Sequence, residues 1–355
     1  MKIGLALGSG AARGWAHIGV IQALEEMGIN IDIVSGCSIG SYVGASYVSG
    51  KLPELAEWVE SLTDWQVYAL MGVGFHKGGL MSGLKVFQAL QENFSFATFE
   101  ELNKPFAAVA TDLYSGREVN FLSGSVIDAV KASCAIPGLF PPMLYKNRWL
   151  VDGGVVNPVP VNMCRLLGAD VVIAVNLSAD FRPQSLIANP FDHGNNQKKT
   201  SDFFKRSHQQ IQQWFRKGID TDVDIGTSAS INTDVRSETT EQDPVTNEEC
   251  LTKECLKILE PVNVEQQKPQ ESNANEHIVV PPAPSIINAM TGSLDILSAR
   301  VTRSRLAGDP PDILIEPQLR DFSMMEFYRA KELIEHGRAS VHRIADQIKY
   351  QLGTQ

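Results

Sequence analysis

A chain of 355 residues with 43% hydrophobic side chains can bury a substantial core, either as one α/β domain with appendages or as two domains. Its formal net charge of -10 excludes a general nucleic-acid binder, although a local patch can oppose that sign at a membrane surface. No run approaches the roughly 18 apolar residues of a transmembrane helix. The N-terminus lacks a signal-peptide pattern, and the five cysteines form no C-x-x-C pair, so a reduced, cytoplasmic protein is expected.

Ile3 to Leu7 reads as a short apolar strand, followed by the loop Gly8-Ser9-Gly10-Ala11-Ala12-Arg13-Gly14. Trp15 to Met27 then reads as a helix, with Ile18, Ile21, Leu24 and Met27 near helical spacing and Gly28 ending it. A glycine-rich loop between strand and helix presents backbone N–H groups to an anion. A dinucleotide fits it poorly, because strict G-x-G-x-x-G needs glycine where Arg13 stands. A P-loop is excluded, since no G-K-[S/T] closes the loop. A looser G-x-G-x-x-x-G dinucleotide pattern, which is a weak signal, an oxyanion hole and a plain βα turn remain.

Ile31 to Val34 is the next strand, and Ile39 to Val48 the next helix. Between them Gly36-Cys37-Ser38-Ile39-Gly40 spells G-x-S-x-G. Strand, tight turn and helix make the setting of a nucleophile elbow, so Ser38 is the candidate nucleophile. The plain alternative is a serine that caps the helix.

A helix is expected from Pro53 to about Leu70. The stretch after it, broken by Gly72, Gly74, Gly78 and Gly79, reads as core packing or as the lining or cover of an acyl-chain pocket. A short helix follows at Leu84–Leu90, then a strand at Phe106–Ala110, an extended run at Glu118–Phe121 and a helix at Val126–Cys134. Trp149–Val151 is a strand leading into Asp152-Gly153-Gly154, and Asn162–Leu167 is helical. Asp170 to Leu177 is almost wholly apolar, as a buried parallel strand is. The alternation predicts an α/β layered sheet.

From about 183 to 284 the chain turns polar and is expected to be a largely disordered insertion with short helices such as Phe203–Phe215. Ser285 then caps a helix carrying Ile286, Met290, Leu294, Leu297 and Val301, with Arg300, Arg303 and Arg305 complementing its C-terminal dipole. A strand at Asp312–Ile315 and a capping box at Ser323–Glu326 follow. The last helix shows an apolar stripe of Ala330, Ile334, Gly337, Val341, Ile344 and Ile348, read as packing against the sheet. The expected division is a core at 1–180, an insertion at 181–284 and a C-terminal helix–strand–helix at 285–355 packing on the core.

A serine hydroxyl needs a base. Of the seven histidines, His193, His208 and His277 lie in the polar insertion and His336 and His342 in the last helix, which leaves His17 and His76 for a triad. A carboxylate is the other choice. Asp152 follows an apolar strand at the end where open α/β sheets place their sites. A carboxylate near pKa ~4 is a poor base unless burial raises it. Trp149, Leu150, Val151, Val155 and Val156 supply an apolar neighbourhood. The plain alternative for D-G-G is a simple turn.

In their order, the glycine/Arg loop, the G-x-S-x-G and the D-G-G resemble the patatin-like phospholipase family over about residues 1–180. The bacterial branch, with its G-G-G-G-A-R-G loop and a following H-I-G-V, is especially similar to Gly8–Gly14 and His17-Ile18-Gly19-Val20. The resemblance implies a three-layer α/β/α fold with a mainly parallel central sheet. It implies a serine acyl hydrolase with Ser38 as nucleophile and Asp152 as its base and orienter. Amides of the Gly8–Gly14 loop, around Gly10 to Ala12, would be the oxyanion donors, with Arg13 anchoring the loop. Gly36, Gly40, Gly153 and Gly154 would be the elbow and dyad glycines. The substrate would be a lipid or other acyl ester, with peripheral membrane contact, no nucleic acid and no metal or organic cofactor. Ser9 and Ala11 depart from the family's glycines and restrict the backbone, so slow turnover or a narrow substrate range is expected. Two competing readings are an inert relative that binds lipid or protein and a nucleotide-binding α/β protein.

Overall fold

A computed structural model describes residues 1–76, 79–180 and 286–353. In chain order they form β1 (Ile3–Leu7), a 3-10 turn at Ala11–Trp15, α1 (Ala16–Glu26), β2 (Ile33–Cys37), α2 (Ile39–Val48), α3 (Leu52–Ser61) and α4 (Asp64–Met71). A hairpin of β3 (Val73–His76) and β4 (Gly79–Met81) leads to α5 (Leu84–Ala89), β5 (Phe106–Asp112), β6 (Glu118–Phe121) and α6 (Val126–Ser133). Then come β7 (Met143–Tyr145), β8 (Arg148–Asp152), α7 (Val161–Leu166) and β9 (Val171–Val175). After the polar stretch follow α8 (Ile286–Gly308), β10 (Ile313–Ile315), α9 (Ala330–Arg343) and α10 (Ala345–Leu352).

The central sheet is mixed and mostly parallel. β10, β9, β1, β2 and β5 run parallel in that order; β6 and β8 pair antiparallel with β5, and β7 pairs antiparallel with β8. Strand alternation divides its side chains between two layers. Leu5, Leu7, Ile173, Val175, Ile313 and Ile315 face the larger core with α1, α2 and α9. Their neighbours Ala6, Val172, Ala174 and Leu314 face the smaller core with Val161 and Cys164 of α7 and Leu306 of α8. The result is a three-layer α/β/α sandwich.

The register around β5 decides where the chemistry sits. β2 pairs with Phe106 to Val109, and β8 pairs with Ala110 to Asp112. β6 pairs with Ala108 to Thr111 and so overlaps both. A residue has only two ladder edges, so β2 and β8 share one edge of β5 and meet head-on. Cys37 lies opposite Val109 and Asp152 opposite Ala110, the next residue. The strand before D-G-G is therefore not another parallel strand. It arrives from the opposite direction, and its end abuts the end of β2.

Several boundaries differ from the sequence expectation for identifiable reasons. The second strand is not Ile31–Val34 but runs from Ile33 into the elbow. Asp32 is occupied at its start, accepting the Ile3 N–H on its carboxylate (2.8 Å) and donating its own N–H to the Ile3 carbonyl (2.9 Å). The helix expected over Pro53–Leu70 is two helices, because Thr63 and Gln66 form a capping box that starts α4. Glu326 does reach back to the Ser323 N–H at 2.9 Å, but it closes a turn, and α9 begins only at Ala330. The final helix breaks at Ile344 into α9 and α10. The polar insertion, with Phe203–Phe215, Cys250 and Cys255, and the capping residue Ser285 lie outside the described residues.

Residues 1–180 and 286–353 share one compact unit. The tightest junction in it is the crossing of α1 and α9. A Cβ on Gly19 would stand 1.8 Å from the Ile334 carbonyl oxygen, and one on Gly337 would stand 1.9 Å from that of Ala16.

Candidate active site

The elbow is built by close approach. A Cβ at Gly40 would lie 2.2 Å from the Leu7 oxygen, and one at Gly36 would lie 2.5 Å from the Gly40 oxygen, so only glycine lets α2 begin this near the sheet. Ser38 takes φ 55 and ψ -127, a strained conformation for a residue with a side chain. Its N–H donates to Ser133 Oγ at 2.8 Å, a partner at the end of α6 that nothing in the sequence pairs with it. By position Ser38 is the N-cap of α2, yet its side chain makes no capping bond. Instead Oγ donates to Asp152 Oδ2 at 2.5 Å.

Asp152 is held as tightly as the serine. Its Oδ1 accepts the Gly154 N–H at 2.7 Å, and its carbonyl accepts Thr111 Oγ1 at 2.9 Å. A Cβ on Gly153 would fall 2.2 Å from the Val109 oxygen, as the head-on junction of β8 and β2 requires. Ser38 and Asp152 are both buried. Burial raises the Asp152 carboxyl to about 6, against the opposing hydrogen bonds from Ser38 and Gly154. The apolar neighbourhood differs from the one read along the chain. Leu150 and Val151 are buried, but Trp149 and Val155 are exposed. Buried Cys37 and Cys134 lie close by, and their thiols are pushed up by burial first and by Asp152 second.

His17 serves the loop rather than a triad. Its Nε2 stands 2.7 Å from the Gly8 carbonyl, and burial lowers its pKa to about 4, so it is neutral and donates there. The loop's amides are mostly consumed. Gly8 donates to Val175 (3.2 Å), Ser9 to Pro158 (2.8 Å), Ala12 to Met324 (3.0 Å) and Arg13 to Gly10 (3.2 Å). Ala12, expected among the free donors, is therefore occupied. Among the described residues the amides of Gly10 and Ala11 have no protein acceptor, and both sit at the open N-terminus of the 3-10 turn. Ala11 reaches this position at φ 49, a conformation in which its Cβ costs about 1 kcal/mol. Gly14 packs the loop onto Ile39 of the elbow, and Ser9 lies beside Gly154, so the loop touches both halves of the site.

Arg13 turns away from that surface. Its guanidinium pairs with Asp295 of α8, and both side chains are largely buried. An aspartate in a long helix gives no sequence signal of such a role. Burial pushes the Asp295 carboxyl up while Arg13 opposes the shift. Asp295→Ala leaves a buried guanidinium unpaired and should cost about 3 kcal/mol or more. We expect a lower melting temperature and a kcat loss larger than the KM change, both partly restored by Asp295→Glu; thermal melts and steady-state kinetics check this.

A family profile described as patatin-like phospholipase matches residues 5–165. Over 342 residues the chain is 32% identical to an uncharacterized NTE family protein of Mycobacterium tuberculosis, a span covering 95% of this chain and 89% of that one. The chain belongs to the patatin-like phospholipase family. As a patatin-like phospholipase it is an ester-hydrolysing enzyme acting on lipids. Lysophospholipase NTE1 of Mycosarcoma maydis is 36% identical over 194 residues, 50% of this chain but only 10% of that one. Human patatin-like phospholipase domain-containing protein 6 is 33% identical over 184 residues, 50% of this chain and 13% of that one. Among the described residues, no helix of this patatin-like phospholipase is long and apolar enough to cross a membrane.

Proposed function

We propose that this patatin-like phospholipase releases fatty acids from lipid esters, with Ser38 as nucleophile and Asp152 as its base. The 2.5 Å bond from Ser38 Oγ to a carboxylate raised to about 6 carries the reading. Such a carboxylate is ionised at neutral pH yet basic enough to accept a proton.

Ser38 Oγ attacks the ester carbonyl as its proton passes to Asp152. The oxyanion forms against the Gly10 and Ala11 amides. Collapse expels the alcohol, which takes the proton from Asp152 and leaves an acyl-Ser38. Water then attacks the acyl carbon, giving its proton to the same carboxylate. The fatty acid departs as Ser38 Oγ is reprotonated. Lysophospholipids are the first substrates to try, since a relative matching half of this chain is named for that activity.

Intact mass after treatment with a fluorophosphonate probe tests the assignment. Wild type should gain one adduct and Ser38→Ala none. Labelling that persists in Ser38→Ala would assign the nucleophile elsewhere. An unlabelled wild type would favour a lipid-binding protein without turnover.

A further inference from the structure

β8 carries more than Asp152. Counting outward from the rung that pairs Asp152 with Ala110, the chain reaches Leu113, whose N–H donates to the Trp149 carbonyl at 2.9 Å. Trp149 in turn pairs with Leu144 of β7. Leu113, the residue after β5, thus stands beside Trp149 of β8, which stands beside Leu144 of β7, and Tyr114 follows Leu113 in the turn. All four are exposed, Tyr114 by 81% and Leu144 by 55%.

This apolar row is rigidly presented. Asp112 Oδ1 accepts the N–H groups of Tyr114 (3.0 Å) and Ser115 (3.2 Å), fixing the β5–β6 turn. Lys146 and Asn147, at φ 45 and φ 62, form the two-residue turn of the β7–β8 hairpin. Charge marks the same place. The segments 112–117 and 143–149 hold Arg117, Lys146 and Arg148 against one carboxylate, Asp112, in a chain whose net charge is -10.

Position relates the patch to the site. Trp149 precedes Asp152 by three residues, so it stands roughly 10 Å away along the strand and points to the opposite face. The patch flanks the dyad without lining it. A row of large apolar and aromatic side chains edged by cations is complementary to an anionic lipid bilayer. Trp and Tyr settle at the headgroup level, and each cation near an anionic surface adds attraction.

We propose that the 112–117 turn and the β7–β8 hairpin are the surface by which this enzyme docks onto anionic membranes, holding the neighbouring dyad at the lipid–water boundary. The inference rests on the lipid-ester reading above for its purpose, but docking itself requires no turnover.

The test is co-sedimentation of the full chain with phosphatidylcholine vesicles made with and without phosphatidylglycerol. Wild type and Ser38→Ala should bind the phosphatidylglycerol vesicles alike. Tyr114→Ser/Leu144→Ser and Arg117→Glu/Lys146→Glu should each lose about tenfold in partitioning. Both double variants should hydrolyse a water-soluble p-nitrophenyl ester at the wild-type rate. Wild-type retention by either double variant would overturn the proposal, as would equal binding to vesicles lacking phosphatidylglycerol. A wild-type dimer that Tyr114→Ser/Leu144→Ser dissociates would give the patch to a second copy of the chain instead. Loss of docking in the variants of a wild type that hydrolyses nothing would leave the docking surface standing and remove only the catalytic reading.

Discussion

Asp152→Asn is expected to abolish turnover and make the fold more stable. The amide has the carboxylate's shape. Its oxygen can still accept from the Gly154 N–H, and its nitrogen can face Ser38 Oγ, but it cannot take a proton. Loss of the base should lower kcat by about 10³-fold. Stability should move the other way. The folded-state carboxyl, at about 6, lies above its ordinary 3.8, so the folded chain holds this proton more tightly than the unfolded chain does. Its contribution is therefore fully present below the unfolded value and is lost as pH rises through the folded value. At pH 8 the ionised, buried Asp152 costs on the order of 3 kcal/mol, and asparagine removes that cost. Melting temperatures should show the variant several degrees above wild type at pH 8, with the gap closing toward pH 4. Wild-type kcat/KM should rise with pH and reach half its plateau near 6, and that limb should vanish in Asp152→Asn. A variant that melts below wild type at pH 8 would mean that hydrogen-bond geometry, not desolvation, dominates at this carboxyl.

Gly19→Ala and Gly337→Ala should each destabilise the protein by about 3 kcal/mol or more. Alanine is the better helix former by about 1 kcal/mol, so propensity alone predicts the opposite sign. Packing overrides it. Both new methyls would meet backbone on the facing helix, at 1.8 Å for Gly19 and 1.9 Å for Gly337, and backbone cannot rotate aside as a side chain can. The helices must separate, and α1 carries His17, which holds the Gly8 carbonyl of the glycine loop. Gly337→Ala should therefore slow fluorophosphonate labelling of Ser38 as well as lower the urea midpoint. An unchanged midpoint would show that the crossing widens at no cost.

The elbow is legible along the chain because its strand, its two glycines and its hydroxyl are consecutive residues. Asp152 is legible only through its company: D-G-G alone is a turn, and the order of three motifs gives it a role. What the residues do not carry is direction. Antiparallel β8 and its head-on meeting with β2 depend on register with β5, and register is set by distant strands. The free amides are hidden for the same reason. Gly10 and Ala11 stand out only after the carbonyls of Val175, Pro158 and Met324 have claimed their neighbours. His17 looks like a triad candidate because it is close to the loop in sequence, and its bond to Gly8 shows that closeness serving the loop's shape. Thr63 and Gln66 are different. Their box is written in the sequence, but the apolar run across Leu62 to Leu70 reads as one helix until the cap is weighed against it.

The pairing of Arg13 with Asp295 bears on the order in which the chain is made. A ribosome that has synthesised as far as β9 has already added Ser38, Asp152 and the whole glycine loop to the chain. It has not yet added Asp295, the Met324 carbonyl that engages Ala12 or the helix that crosses α1. Until they arrive, the Arg13 guanidinium has no carboxylate to enter the core with, and an unpaired charge resists burial by several kcal/mol. The partners that anchor the glycine loop thus come from a segment made long after the loop itself, Arg13 and Asp295 being 282 residues apart.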